Sequence, residues 1–73
     1  MKSTYIKLVI AGRRSIESIK EKDIVDVAVG VIIKGAEDGV KYITIEDVPD
    51  KYKAKVIEEL EAEGYKENGE PIE

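Results

Sequence analysis

The sequence has no cysteine and no histidine, and it also has no tryptophan, phenylalanine or glutamine. Without cysteine and histidine the chain can form no disulfide, no thiolate or imidazole metal site and no catalytic triad with an imidazole base. Its acidic residues could bind Ca²⁺ or Mg²⁺ through oxygen, but none of their clusters has the spacing of an EF-hand loop. We therefore predict that the protein is not an enzyme and that it holds no metal or cofactor.

Long apolar runs are absent as well. No stretch approaches the roughly 18–20 apolar residues of a membrane-spanning helix. Lys7 interrupts the apolar segment near the N-terminus, and no signal-peptide cleavage pattern follows it. At 73 residues the chain has room for one small core. These features predict a single soluble domain, residues 1–73, in the cytoplasm and without a membrane partner.

Positive and negative charge are separated along the chain, whose net charge is −4. Residues 1–22 carry six basic and two acidic side chains, whereas residues 58–73 carry seven glutamates and one lysine. The few basic residues and the missing aromatic–basic surface argue against nucleic acid as a partner. Such a chain can associate head to tail or meet a basic protein with its acidic end, although the same charges would also serve solubility alone.

The N-terminal segments give mixed signals. Residues 4–11 are rich in β-branched residues, which favours a strand, but their apolar positions also fit a short helix that ends at Gly12. Ser15 then resembles an N-cap, and we predict a short helix from there to about Lys22.

A β-hairpin is predicted in the middle of the chain. Residues 24–34 contain alternating valines and isoleucines, and a helix over residues 24–35 would be weakened by Gly30. Residues 40–45 form a second such run, and Asp38-Gly39 in the connection is typical of a hairpin turn. Both faces of this hairpin would be apolar, and the helices could cover only one of them. We therefore expect a homo-oligomer that covers the other face.

The C-terminal helix has the clearest signals. It is predicted from about Val48 to Glu63, with Asp47 as its cap and Pro49 in its first turn, where a missing N–H does no harm. Gly64 is expected at the C′ position of a Schellman motif. The predicted buried stripe consists of Tyr52, Val56, Ile57 and Leu60, on which Tyr65 packs.

Together these elements predict an α+β fold in the order β-α-β-β-α, with a small antiparallel sheet packed against the C-terminal helix. Residues 66–73 are expected to follow as a loop or frayed tail, with a turn at Asn68-Gly69. The alternative fold is an all-α helical hairpin assembly.

The two arginines of the chain, Arg13 and Arg14, lie between Gly12 and Ser15. A turn that leads into a helix exposes free backbone N–H groups, and the guanidinium group binds phosphate or carboxylate through two hydrogen bonds. Arg13, Arg14 and Ser15 are therefore a candidate site for a small anionic ligand. No glycine-rich phosphate loop surrounds them, so solvated arginines or a salt bridge are the competing interpretation.

The charges of the C-terminal helix are placed against its dipole. Residues 51–55 carry three lysines near the positive end, whereas residues 58–63 carry four glutamates near the negative end. Each such exposed charge costs about 0.3–1 kcal/mol at low salt, and a basic partner for the glutamates would offset that cost. The predicted partner-binding surface consists of Tyr42, on the outer hairpin face, and Glu58, Glu59, Glu61 and Glu63.

A five-residue phrase occurs twice. Ser15-Ile16-Glu17-Ser18-Ile19 returns 29 residues later as Thr44-Ile45-Glu46-Asp47-Val48, which suggests a duplication or one local device used twice. We expect the first copy to start a helix and the second to end a strand. On that expectation the copies are two halves of one motif, separated by the hairpin, rather than a duplication.

Residues 5–17 (Tyr-Ile-Lys-Leu-Val-Ile-Ala-Gly-Arg-Arg-Ser-Ile-Glu) and residues 44–60, which begin Thr-Ile-Glu-Asp-Val-Pro, resemble a known pattern. It is found in very short proteins encoded in phages and prophages of Firmicutes, often beside tail genes. The pattern is an apolar-Lys-apolar opening, a glycine, a basic pair, then Thr-Ile-x-x-Val-Pro and a basic helix. In that family the halves are contiguous, whereas residues 20–43 separate them here. The resemblance implies a phage or prophage origin and supplies no activity and no site residues.

The predicted function is a non-enzymatic protein-interaction module of phage or prophage type, either a minor virion or tail component or an acidic inhibitor of a host protein. Two alternatives remain: an oligomeric binder that sequesters a phosphorylated or nucleotide ligand, and a purely structural oligomerising module. The expected location is the host cytoplasm, or the virion for a tail component.

Overall fold

The chain folds as three α-helices joined by two connections of similar design. The computed structural model describes residues 2–72, in which α1 spans Lys2–Ile10, α2 spans Glu21–Asp38 and α3 spans Asp50–Ala62. Short 3₁₀ turns at Ile16–Ser18 and Ile45–Asp47 lie in the two connections. α2 is the central helix, because it packs against both α1 and α3.

The predicted α+β fold is wrong, since residues 2–72 contain helices and no strand beyond an isolated bridge. The predicted first strand of the hairpin lies within α2, and residues 40–45 belong to the second connection. Apolar residues at positions 24, 27, 28, 31 and 32 fit the helical period as well as the alternating valines fit the strand period. The structure has the all-α class of the alternative, with three helices rather than a helical hairpin.

The core lies around α2, which supplies half of its buried apolar residues. Both α1 and α3 pack on α2, and the hairpin whose second apolar face was expected to be covered by another chain is not formed. The uncovered hairpin face therefore no longer supports a homo-oligomer, and oligomerisation itself stays a prediction. No helix in the described part of the chain has the length and hydropathy needed to cross a membrane. The buried apolar residues are Val9, Ile16, Ile19, Ile24, Val27, Ala28, Val29, Val31, Ile32, Val48, Val56 and Leu60.

Gly30, which argued against a helix in the sequence, marks the contact between α1 and α2. A Cβ atom at this position would lie 2.5 Å from Cδ1 of Ile6. The Ile6 side chain thus occupies the space that a larger residue at position 30 would need. A glycine inside a helix costs about 0.5–1 kcal/mol relative to alanine, and here it allows the close approach of a neighbouring helix.

All three helices end with a glycine in the left-handed region. Gly12, Gly39 and Gly64 have φ values of 74°, 73° and 89°. At each end, the residue after the glycine donates its backbone N–H to the carbonyl group five residues earlier, as Val40 does to Gly35 at 2.9 Å. This bond defines the Schellman motif, so the motif predicted at Gly64 is confirmed. The hairpin turn predicted at Gly39 is instead a helix end of the same kind.

The two copies of the repeated phrase have the same backbone conformation. In each copy a 3₁₀ turn is followed by a buried extended residue, Ile19 (φ −78°, ψ 144°) or Val48 (φ −82°, ψ 136°). One further extended residue, Lys20 (φ −60°, ψ 145°) or Pro49 (φ −54°, ψ 141°), leads into the next α-helix. The expectation that the copies differ in structure is therefore wrong. The phrase is one connecting device, used twice.

The starts of the helices also differ from the prediction. Ser15 makes no side-chain capping bond, and the helix after it is a 3₁₀ turn of three residues that stops before α2 begins. Asp47 does not cap α3, because its carboxylate accepts the backbone N–H of Thr44 at 2.9 Å within the second connection. The C-terminal helix itself is confirmed, with Val56 and Leu60 fully buried.

Candidate functional site

An apolar cleft lies at the carboxyl end of α2, and we call it the α2-end cleft. After Gly39 the chain turns back beside the last turn of α2, and the absence of a side chain at Gly35 permits the close approach. A Cβ atom at Gly35 would lie 2.6 Å from the carbonyl oxygen of Val40 and 3.5 Å from the ring of Tyr42. The second connection is thereby held against α2, where it forms one side of the cleft.

The C-terminal residues Glu67, Asn68 and Glu70 also line the cleft. The backbone N–H of Ile72 donates to the carbonyl of Gly64 at 2.9 Å, and that of Lys66 donates to the carbonyl of Glu70 at 2.7 Å, so the chain turns back on itself between these residues. Gly69 is buried in this turn, and a Cβ atom there would lie 2.5 Å from the carbonyl oxygen of Ile32. The segment predicted as a loop or frayed tail is thus a loop that packs on Ile32 of α2 through Gly69, and its turn spans Lys66 to Gly69, where the Gly69 N–H donates to the Lys66 carbonyl at 2.8 Å.

The α2-end cleft has a volume of about 420 Å³ and opens to solvent. Ile32, Val40 and Ile43 are among its apolar lining residues. Val40 is 49% exposed, a high fraction for a large apolar residue, and lies outside the core. The volume lies within the range of about 300–1,000 Å³ that is typical of ligand pockets. The charged residues that line the cleft are Lys41, Glu67 and Glu70.

A hydrogen-bonded pair next to the cleft holds the second connection in place. The Tyr42 hydroxyl donates to Oδ2 of Asp38 at 2.8 Å, and Nζ of Lys34 lies 3.5 Å from Oδ1 of the same carboxylate. The hydrogen bond to Asp38, together with partial burial and the charge of that carboxylate, raises the pKa of Tyr42 above its ordinary value. The pair therefore fastens the chain after Gly39 to the last turn of α2.

Arg13, Arg14 and Ser15, the candidate anion-binding residues, are exposed in the first connection. The guanidinium carbon of Arg14 lies 5.4 Å from the ring centroid of Tyr5, and its Nε donates to the Ser18 hydroxyl at 3.3 Å. No α-helix starts at Ser15, so the expected helix N-terminus with its free N–H groups is not there. The anion site stays a prediction that has lost this part of its support.

A second cleft brings Arg14 and Ser15 together with carboxylates. Glu17, Glu46 and Asp47 line the same cleft. Negative side chains in the same cleft oppose the binding of a phosphate group. Among the described residues, no three acidic side chains are grouped so as to hold a metal ion.

Tyr42 and the four glutamates of the predicted partner surface lie on different elements. Tyr42 is half-buried beside the end of α2, whereas all four glutamates are exposed on α3 or at its end. Glu59 lines a groove between α2 and α3 together with Lys22. Within residues 2–72 the ion pairs involve other acidic residues and none of these glutamates. The glutamates in question are Glu58, Glu59, Glu61 and Glu63.

Sequence reasoning missed the residues that line the α2-end cleft. The hairpin prediction placed Val40 and Ile43 in a strand, and Glu67 and Glu70 were predicted in a loop or frayed tail with no site role. The pair Gly35 and Gly39, four residues apart, is the signal that could have located Val40 and Ile43, because it is compatible with a helix end and a close return of the chain. No such signal locates Glu67 and Glu70.

Comparison with known proteins adds no relative. No family model, no curated protein and no solved structure matches the chain. The resemblance to short phage and prophage proteins therefore stays a prediction, and function has to be argued from the geometry and charge of the surface.

Proposed function

We propose that the chain is a non-enzymatic protein-interaction module that binds a segment of a protein partner in the α2-end cleft. The observation that carries the proposal is the combination of an open apolar cleft with carboxylates at its edge. Exposed apolar surface bordered by polar residues is characteristic of interaction sites. The lack of histidine and cysteine supports a binding role over a catalytic one.

The lining of the cleft indicates what the partner segment contains. Val40 and Ile43, with the almost fully buried Ile32 behind them, offer an apolar surface for one large side chain, the kind of anchor that dominates many interfaces. Glu67 and Glu70 outnumber Lys41 among the charged lining residues, so lysine or arginine next to the anchor is favoured over glutamate. The partner segment is therefore a peptide with a large apolar residue flanked by basic ones.

The resemblance to very short phage and prophage proteins supports a phage or prophage origin for this module. In that setting the partner is a host protein or a virion protein, and the module acts in the host cytoplasm or in the virion. Its negative net charge supports a basic protein partner over nucleic acid.

The proposal can be tested with a synthetic peptide of about twelve residues that carries a central leucine flanked by lysines. In a ¹⁵N-labelled protein, we expect the peptide to shift the amide resonances of residues 32–45 and 67–70. Val40→Glu should weaken binding at least about tenfold, because it places a charge in the apolar part of the cleft.

Ile72→Glu is the matched control, since Ile72 is 48% exposed like Val40 but does not line the cleft. This variant should bind the peptide as the unaltered protein does. A second peptide with glutamates in place of the lysines should bind more weakly. The proposal is wrong if no amide near the cleft responds, or if Val40→Glu and Ile72→Glu have the same effect.

A further inference from the structure

The outer face of α3 carries a charge pattern that is complementary to itself. Its residues are spaced three or four apart, which keeps them on the side of the helix opposite the buried Val56 and Leu60. Positive side chains occupy the first half of this face and negative side chains the second half. We call it the outer α3 stripe, and it consists of the exposed residues Lys51, Ala54, Lys55, Glu58, Glu61 and Ala62.

Within one copy this order of charges is unfavourable. The lysines lie toward the positive end of the α3 dipole and the glutamates toward its negative end. Lys55 and Glu58 are three residues apart, but lysine before glutamate is the weaker order for a pair along a helix. In the part of the chain that the structure describes, neither forms an ion pair, whereas Lys53 on another face lies 2.9 Å from Asp50. The ammonium of Lys51 lies 5.1 Å from the ring centroid of Tyr52.

We infer that a second copy of the chain covers this stripe, with the two α3 helices antiparallel and a two-fold axis at the height of residues 56 and 57. Lys55 then faces Glu58 of the second copy, and Lys51 reaches Glu61 of the second copy. Each pair forms twice because the interface is symmetric. Ala54 and Ala62 leave room for the helices to approach.

The antiparallel arrangement also offsets the unfavourable interaction between the α3 charges and the dipole of their own helix. Glutamates at the end of one α3 lie beside the positive start of the other, and the lysines lie beside its negative end. A parallel pair would instead bring lysine against lysine and glutamate against glutamate, which is repulsive. The charge order of α3 thus selects both the second copy as the occupant and the direction of its helix.

This association is weak, because the stripe is small. A helix of 13 residues is about 20 Å long, and one face of it offers less than the roughly 800 Å² per partner of a standard interface. The dimer therefore forms in proportion to concentration and weakens with salt, which screens exposed charges. The stripe shares no residue with the α2-end cleft, so the two proposals are tested by different substitutions.

Sedimentation equilibrium of the full chain tests the inference. Between about 20 μM and about 1 mM protein in low salt, we expect the average mass to rise above the 8.1 kDa of one chain. At about 0.5 M salt the mass should return toward that of the monomer, since the Debye length is then about 4 Å. A protein that stays monomeric at about 1 mM in low salt overturns the inference.

Charge reversal identifies the surface. The double variants K51E/K55E and E58K/E61K should each remain monomeric, because each carries a stripe of one sign. An equimolar mixture of the two should form a heterodimer, and the fourfold variant with all these reversals should dimerise again. Circular dichroism confirms that each variant is folded.

The control is E59K/E63K, which changes the net charge as much as E58K/E61K but alters residues outside the stripe. It should dimerise like the unaltered chain. Self-association that survives both stripe reversals, or that E59K/E63K abolishes equally, places the interface elsewhere and refutes the inference.

Discussion

The side chain of Asp38 joins two groups beside the candidate site. Its carboxylate accepts the hydroxyl of Tyr42 and lies near the ammonium of Lys34, so residues on both sides of Gly39 meet at one point. Both partners are outside the core, and their contribution to stability is accordingly small. What they determine is the position of the chain that forms one side of the α2-end cleft.

We predict that Tyr42 titrates above the ordinary pKa of a tyrosine. Its pKa is raised chiefly by the hydrogen bond to Asp38, so the folded state holds this proton more tightly than the unfolded chain does. The stability from this bond is fully present below the unfolded pKa of about 10 and is lost as the pH rises through the folded pKa. Ultraviolet absorbance of tyrosinate should therefore show a late phase that belongs to Tyr42.

Two substitutions identify that group. Tyr42→Phe should remove the late phase, and Asp38→Asn should move it toward the ordinary pKa. Tyr65→Phe is the control and should leave the late phase in place. If Asp38→Asn leaves the titration unchanged, the hydrogen bond between Tyr42 and Asp38 does not form in solution.

The two connections between helices show that one short sequence pattern can form the same backbone conformation at two places in the chain. Both pass from a Schellman end through a 3₁₀ turn to two extended residues and a new helix. The copies differ in chemistry, because Thr44 accepts the backbone N–H of Glu46 at 3.2 Å whereas Ser15 has no capping bond. They also differ in that Pro49 stands where the first copy has Lys20. The shared backbone thus tolerates different side chains.

Lys20→Pro is therefore predicted to be accepted in the first connection. The φ of Lys20 is −60°, and Ile19 before it is extended, as a residue before proline must be. Proline should then stabilise the protein by about 0.4–1 kcal/mol, because it restricts the unfolded chain. Urea unfolding, followed by circular dichroism, measures the change.

Lys34→Pro is the control, since it places the same residue inside α2. It should lose about 3 kcal/mol or more and unfold most of the protein. If Lys20→Pro is as damaging as Lys34→Pro, the two connections are not equivalent in solution.

The sequence was sufficient to predict the helix α3 but not the helix α2. In α3 the apolar period, the proline near its start and Gly64 at its end all indicate the same helix. In α2 the alternating valines favour a strand, but the penalty for β-branched residues in a helix is at most about 0.7 kcal/mol each. Burial of the face between α1 and α3 outweighs that penalty. Gly30 also argued against a helix, because its contact with Ile6 of α1 cannot be seen in the local sequence.

Across the molecule as a whole, the candidate cleft could not be predicted because three distant segments build it. Ile32 belongs to α2, Val40 to the second connection and Glu70 to the C-terminal turn. Their proximity depends on the close contact of Gly69 with Ile32. No local pattern of spacing or charge encodes such a contact. By contrast, the separation of charge along the chain was readable from composition.

The C-terminal turn is predicted to be part of the folded molecule rather than an appendage. It covers Ile32, which is only 3% exposed, so a chain ending at Tyr65 should expose part of that side chain to water. At about 25 cal/mol per Å² of apolar surface, the loss should be about 1–2 kcal/mol, which is a large share of the stability of so small a domain. Urea unfolding should show a lower midpoint with the three helices retained.

Gly69→Ala tests the packing of the C-terminal turn on α2 without shortening the chain. Its φ of 89° is unfavourable for alanine, and the added Cβ would meet the carbonyl oxygen of Ile32. The turn should therefore move away from α2. This movement should lower the urea-unfolding midpoint and also weaken the binding of the peptide that carries a central leucine flanked by lysines. Ile72→Ser, which alters an exposed residue of the same segment, should leave the midpoint nearly unchanged. Equal midpoints for the full chain, the shortened chain and Gly69→Ala would mean that the turn does not pack on α2, and the cleft would then lose one of its sides.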